Sequence, residues 1–194
     1  MKFAKFLAIG LLCLLFNGGV FALRYSEPPK EGEPRFLREE EEKRSAYKMY
    51  LDKGIRYFKK GLYPEAKGFL WEAINLYPQD PDAYINLAIV HMAEDNYDTA
   101  IRILKKSKDL APPGYFQEEI LLYNLGLAYF KKENYKEAID FFSRSLQIYP
   151  EFRQAAYYLS LSYERTGQSQ KAQTLKEGLD KQLEAVESSE GQTP

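Results

Sequence analysis

Between about Ser45 and Val186, apolar side chains recur at steps of three and four, as in Ile74 and Tyr77 or in Leu121, Leu122, Leu125 and Tyr129. That spacing puts them on one face of an α-helix. No stretch keeps up the strict alternation of a half-buried strand. The pattern breaks at Lys60-Gly61, Tyr77-Pro78, Glu94-Asp95-Asn96, Pro112-Pro113-Gly114, Glu133-Asn134, Tyr149-Pro150 and Thr166-Gly167. These residues end helices or favour turns. Helical runs of about a dozen residues lie between them, which predicts a chain of helical hairpins.

The hairpins are copies of one unit. Ala66, Ala100, Ala138 and Ala172 align at separations of 34, 38 and 34 residues. Twelve residues before each stands Gly54, Ala88, Gly126 or Ser160. Small residues at both places let the two helices of a hairpin approach closely. Three residues after each of these comes a ring, at Tyr57, His91, Tyr129 or Tyr163. Four residues after the alanines come Leu70, Leu104, Phe142 and Lys176. Proline closes three units, at Pro78, Pro112 and Pro150, where it ends a helix.

The stretches LAIVH…YDTAIRIL and LGLAYFKKENYKEAIDFFSRSLQIYP carry this pattern of Leu, small, ring, Tyr, Ala, large apolar and Pro. In these residues the chain resembles the tetratricopeptide repeat (TPR) family, in register over about 140 residues. The resemblance implies an all-α fold: a right-handed superhelical solenoid of antiparallel helix hairpins, about 3.5 to 4 units, over residues 45–187. There are departures. Lys53 takes the usual Leu slot of the first unit, so that end is expected to be frayed or solvated. Lys176 stands where a core residue is expected, and the fourth unit lacks a closing proline. Its polar second helix keeps Ala172, Leu175, Leu179, Leu183 and Val186, and reads as the soluble cap that a terminal repeat needs. Four extra residues fall within Ala111–Phe116. They are expected to lengthen the loop or the next helix, with Tyr115 and Phe116 packing there, the alternative being a small contact spot.

The resemblance also implies that the first helix of each hairpin lines the concave side. Carried over position by position, that predicts a protein-binding stripe. It consists of Leu51, Ile55 and Phe58, then Ile85, Ile89 and Met92, then Tyr123, Leu127 and Phe130, then Tyr157 and Leu161. Steps of three and four hold each set on one helical face. About half of them are expected to pack between neighbouring hairpins instead, because a solenoid is held together by nearest-neighbour interfaces. Asn86 and Asn124 project near this face. Leu51, Ile85 and Tyr123 occupy places where a peptide-carboxylate clamp would want cations, so carboxylate capture is disfavoured.

The N-terminal residues read differently. Lys2 and Lys5 precede the apolar run Phe6–Phe16, and Val20-Phe21-Ala22 follows. This is the order of a secretory signal, cleaved after about Ala22. The apolar stretch reaches Leu23, so an uncleaved anchor is the alternative. Cys13 is the only cysteine, and Leu11-Leu12 before it departs from the small residue that a lipid-attachment site wants. Residues 23–44, with Pro28, Pro29 and Pro34 and the charged run Glu39–Arg44, read as a flexible linker. Its last part could also form the solvated first turns of a helix. Residues 188–194 read as a disordered tail.

Composition narrows the function. A formal net charge of −1 on 194 residues gives no general attraction to nucleic acid or anionic membrane. A membrane role would run only through an uncleaved N-terminal segment. Sixteen tyrosines against one tryptophan call for a core or a binding face. An acid–base or metal site needs convergent titratable groups. The one histidine, His91, occupies a ring slot, and Glu118 and Glu119 are adjacent and so point apart on a helix. No phosphate loop, serine elbow or metal-ligand spacing occurs. The expectation is therefore a non-enzymatic scaffold with no cofactor or metal. It is exported to a bacterial periplasm or envelope and binds a protein or peptide in the concave groove. The alternative is a signal-anchored subunit that uses the repeats as a spacer or for self-association. Cleavage predicts that the intact mass of the exported protein lacks about 22 residues. A mass retaining them would establish the anchor instead.

Overall fold

The computed structural model describes residues 35–190, and the surroundings of side chains as far as residue 180. The expectations for the export segment, for Cys13 and for residues 23–34 lie outside the described residues. So do those for residues 191–194 and for the side chains of Leu183 and Val186. Among the described residues the chain forms eight helices and no strand. They are α1 (Arg35–Lys59), α2 (Tyr63–Leu76), α3 (Pro81–Ala93), α4 (Tyr97–Leu110), α5 (Glu118–Lys131), α6 (Tyr135–Ile148), α7 (Arg153–Arg165) and α8 (Ser169–Glu190).

Each odd-numbered helix forms a hairpin with the even one after it, and each hairpin packs on the next. Successive odd helices also touch: α1 with α3, α3 with α5, α5 with α7. The even helices do not touch one another. A layer whose members meet while those of the other layer are splayed is the inside of a curve. The odd helices therefore line the concave side of the solenoid.

Turn chemistry sets the hairpins. At the same place in each unit the backbone turns left-handed: Gly61 (φ 74°), Asp95 (φ 57°), Glu133 (φ 64°) and Gly167 (φ 76°). The next amide then donates back to the carbonyl of the ring-slot residue. These bonds are Leu62 to Tyr57 at 3.0 Å, Asn96 to His91 at 2.9 Å, Asn134 to Tyr129 at 2.9 Å and Gln168 to Tyr163 at 2.8 Å. This closure satisfies carbonyls that a helix end leaves open. Between hairpins, Asp80 caps α3 by accepting the Asp82 amide at 2.9 Å, with Pro81 following as the first helical residue.

Close approach builds the core. Ala66, Ala100 and Ala138 are fully buried, and so are the large residues one turn later, Leu70, Leu104 and Phe142. A Cβ on Gly126 would lie 2.7 Å from the Phe142 ring, and one on Gly54 would lie 2.6 Å from Leu70 Cγ. Buried serines tie the second helix of two units to the start of the first. Ser107 Oγ donates to the Pro81 carbonyl at 3.0 Å, and Ser145 Oγ donates to the Glu119 carbonyl at 2.8 Å. Burying a side chain of the size of Phe142 or Leu104 contributes about 1.5–3 kcal/mol.

Three features differ from expectation. Helix α1 begins at Arg35, so the last ten residues of the expected linker are helical. Tyr47 and Tyr77 pack edge to face at 5.2 Å, Lys43 lies over the Tyr77 ring, and the Tyr77 hydroxyl donates to Glu40 at 2.5 Å. The first unit is not frayed at Lys53. That side chain is half-buried, its ammonium 5.3 Å from the Phe69 ring and 5.9 Å from Tyr50. A cation over aromatic faces replaces the usual leucine there. The four extra residues lie in the α4–α5 loop. Tyr115 packs into the core, but Phe116 is 74% exposed.

Gly126→Ala should lower stability by up to about 2 kcal/mol. Overpacking against Phe142 costs about 1–3 kcal/mol, and the helix-propensity gain returns about 1 kcal/mol. Adding Phe142→Leu recreates the Ala88–Leu104 pairing of the second unit. Urea midpoints should then show the double variant more stable than the sum of the single losses, and additive losses would contradict this packing.

Candidate binding surface

The predicted stripe sits on α1, α3, α5 and α7, the helices of the concave side. Its members divide between core and surface. Ile85 is buried in the core shared with Ala100, Leu104 and Leu121, which removes it from the exposed stripe. The reason is geometric: neighbouring odd helices meet, and one residue per turn must fill the seam between them. Leu51 and Phe58 pack on the first core cluster, Ile89 and Met92 on the second, and Tyr123, Leu127 and Phe130 on the third. All seven are half-buried and keep some surface. Ile55 and Leu161 are also half-buried but belong to none of these clusters, and Tyr157 is 52% exposed.

Aromatic packing orders the third and fourth units. Tyr123 lies 4.9 Å from Phe152 and 5.9 Å from Phe142, measured between ring centroids. Phe130 meets Tyr158 edge to face at 5.3 Å. Many of the tyrosines are thereby spent on contacts between units. Burial, with the nearby Tyr158 phenol adding to it, pushes the Tyr123 hydroxyl up to about 12.

Polar groups near the face are mostly tied up locally. Asn86 and Asn124 donate to the carbonyls of Asp82 and Ile120 at 2.9 and 2.8 Å, one turn back in their own helices. They are helix-bound repeat residues with their amide donors engaged. His91 is half-buried, and its Nδ1 has no hydrogen-bond partner and lies 3.8 Å from the Glu94 carboxylate. Burial first, then the positive charges of Lys67 and Arg102, hold its pKa below the usual value against the pull of Glu94. Glu94 itself is gripped by Lys67 at 2.7 Å. At the far end, Lys176 pairs with Glu164. An open cleft of about 390 Å³ there is lined by Arg153, Tyr157, Lys176, Leu179 and Asp180.

Two features had no counterpart in the sequence reading. Trp71 is 49% exposed on α2, on the convex side, and no periodic signal marks it. The inserted loop also makes a polar cluster with the start of α3, where the Tyr115 hydroxyl donates to Asp82. The break in spacing, together with two rings inside it, was the available signal for that cluster.

These features define a helical-repeat solenoid with a partly apolar, aromatic concave face. Residues 80–151, which take in α3, α4, α5 and α6, match the tetratricopeptide repeat family. The structure is similar to that of MamA, with a TM-score of 0.64 and 25% identity over 73% of this chain and 81% of that one. It is also similar to the first TPR of Spaghetti (RPAP3) bound to the HSP90 peptide SRMEEVD, with a TM-score of 0.58. That likeness has 20% identity, covers 63% of this chain and 94% of that one, and speaks for the fold alone. The peroxisomal targeting signal receptor of Saccharomyces cerevisiae is 29% identical over 96 residues. The match takes in 50% of this chain and spans only 15% of the receptor.

The raised Tyr123 pKa makes an alkaline prediction. In the unfolded chain the phenol ionises near 10. The folded state keeps its proton up to about 12. This contribution to stability is therefore complete below about pH 10 and is lost as pH rises through the folded value. Urea titrations at stepped pH should show Tyr123→Phe losing less stability between pH 9 and about 11 than the parent. Equal losses would remove Tyr123 as a cause.

Proposed function

We propose that this chain is an exported tetratricopeptide scaffold that holds a segment of a partner protein against its concave face during assembly of a cell-envelope complex. One observation carries the binding part. Half-buried or exposed apolar side chains, from Ile55 on α1 to Tyr157 and Leu161 on α7, stand on helices that touch one another in succession. Burying such a stripe is worth about 25 cal/mol per Å² before the costs of association. An amphipathic helix or an extended peptide suits a groove of this kind.

Export rests on Lys2 and Lys5, the apolar run Phe6–Phe16 and the Val20-Phe21-Ala22 site. The anchored reading rests on the apolar stretch reaching Leu23. Among the described residues no helix is long and apolar enough to cross a membrane. An anchor would therefore have to come from elsewhere in the chain.

The test is site-specific photo-crosslinking in envelope preparations. A crosslinker at Ile89 or Tyr157 should give a discrete adduct, whereas one at the convex Trp71 should give none. Phe58→Glu with Phe130→Glu should reduce the adduct at least about tenfold, as expected for charges placed in an apolar contact. Tyr157→Glu repeats the test at a position outside the core. Undiminished adducts in folded forms of both variants would overturn the groove as the binding face.

A further inference from the structure

The inserted α4–α5 loop does more than join two helices. It carries Tyr115 and Gln117 back to the first turn of α3 in the preceding hairpin. The Tyr115 hydroxyl donates to the Asp82 carboxylate, and Gln117 Nε2 lies 3.4 and 3.5 Å from its two oxygens. Asp80, two residues earlier, spends one oxygen on capping α3. Two carboxylates thus stand side by side at one end of the concave side, and neither forms an ion pair among the described residues.

An independent feature points at the same spot. Tyr47 on α1 is only 8% exposed, and its buried hydroxyl leans on the Asp80 carboxylate without a well-formed hydrogen bond. Burial first, then the charge of Asp80 and this weak contact with it, then the charge of Asp82, hold its proton well above the usual phenol range. Asp82 is in turn raised by burial, against the favourable Tyr115 bond, and by the charge of Asp80. The floor of this site therefore carries negative charge that only neutral dipoles offset. Above it opens a cleft of about 420 Å³ between Asp80, Asp82, Pro112 and Gly114, with Phe116 on its rim. Phe116 is 74% exposed and stands edge-on to Tyr115 at 5.4 Å. A bare ring beside two carboxylates is the combination that a basic side chain satisfies, with its methylenes and charge over the ring and its head on the acids. The exposed ring on the rim favours an organic cation, whose methylenes and charge it can cover, over a bare metal ion.

We propose that this cleft is a second, polar pocket of the binding surface, which takes an arginine or lysine side chain of the bound partner between Asp80, Asp82 and Phe116. Arginine fits better, because its planar head can bridge the two carboxylates and stack on the ring. The pocket would fix the direction in which a segment lies along the apolar groove. That consequence rests on the groove reading, but the pocket itself does not.

The experiment uses acetyl-Gly-Arg-Gly-amide as probe and follows backbone amides of the isotope-labelled exported protein by NMR. Shifts should be confined to residues 79–82 and 114–117 and should saturate at millimolar concentration. The citrulline peptide, which keeps the shape and lacks the charge, should bind at least about tenfold more weakly, because it forfeits charge-assisted hydrogen bonds. Asp80→Asn with Asp82→Asn keeps the helix cap and an acceptor for Tyr115 and should give a similar loss. Phe116→Ala, at an exposed position, should weaken binding by about threefold, the loss of an exposed cation–π contact. Phe58→Glu with Phe130→Glu should leave these shifts in place, so a failed groove and a failed pocket look different. The pocket is overturned if citrulline binds equally, if the Asn variant keeps the affinity, or if the shifts scatter over the acidic surface.

Discussion

The whole solenoid depends on two helices crossing at contact distance within each hairpin. Small residues make this possible: Gly54 with Ala66, Ala88 with Ala100, Gly126 with Ala138, Ser160 with Ala172. Where the first of each pair is glycine, the missing Cβ is filled by the large residue that follows, Leu70 or Phe142. Two crossings trade volume between their slots: Gly126 admits a phenylalanine ring, whereas Ala88 is matched by a leucine. Close packing of this kind tolerates little change in volume, so the slots come as matched sets.

Hairpin closure and inter-hairpin packing then divide the remaining side chains. The left-handed turn residue and the returning amide fix how the second helix leaves the first. Because only the odd helices touch their counterparts, one face of the array closes and the other opens. Residues on the closed face serve both as seam and as surface. Ile85 falls wholly into the seam, and Tyr157 stands mostly clear of it. The aromatic cluster around Tyr123, Phe142, Phe152 and Tyr158 shows how a tyrosine-rich chain uses rings as spacers between units.

The inserted loop breaks the repeat and adds chemistry that the repeat itself lacks. It brings a phenol and an amide to a carboxylate pair one hairpin back, and it leaves a phenylalanine on the rim. The first helix contributes Tyr47 to the same place, so three consecutive segments converge there. The array thereby acquires a charged site where two inter-hairpin loops meet.

The hairpins, their boundaries and the crossing residues were legible in the sequence, because periodicity and residue size are local and repeat in register. So was the ring slot of His91, which lies half-buried where the other units place tyrosine. Tertiary structure alone decided which apolar residues remain exposed, since Ile85 and Ile89 look alike on one helix and differ only in what the neighbouring hairpin covers. It also decided that Lys53 lies over rings rather than in water, because Phe69 reaches it from the partner helix. The same holds for Asp82 and Tyr115, 33 residues apart in the chain and joined by a hydrogen bond. Local pattern specifies a helix and the face it buries. Contacts between distant segments depend on the curvature of the array, which no single repeat contains.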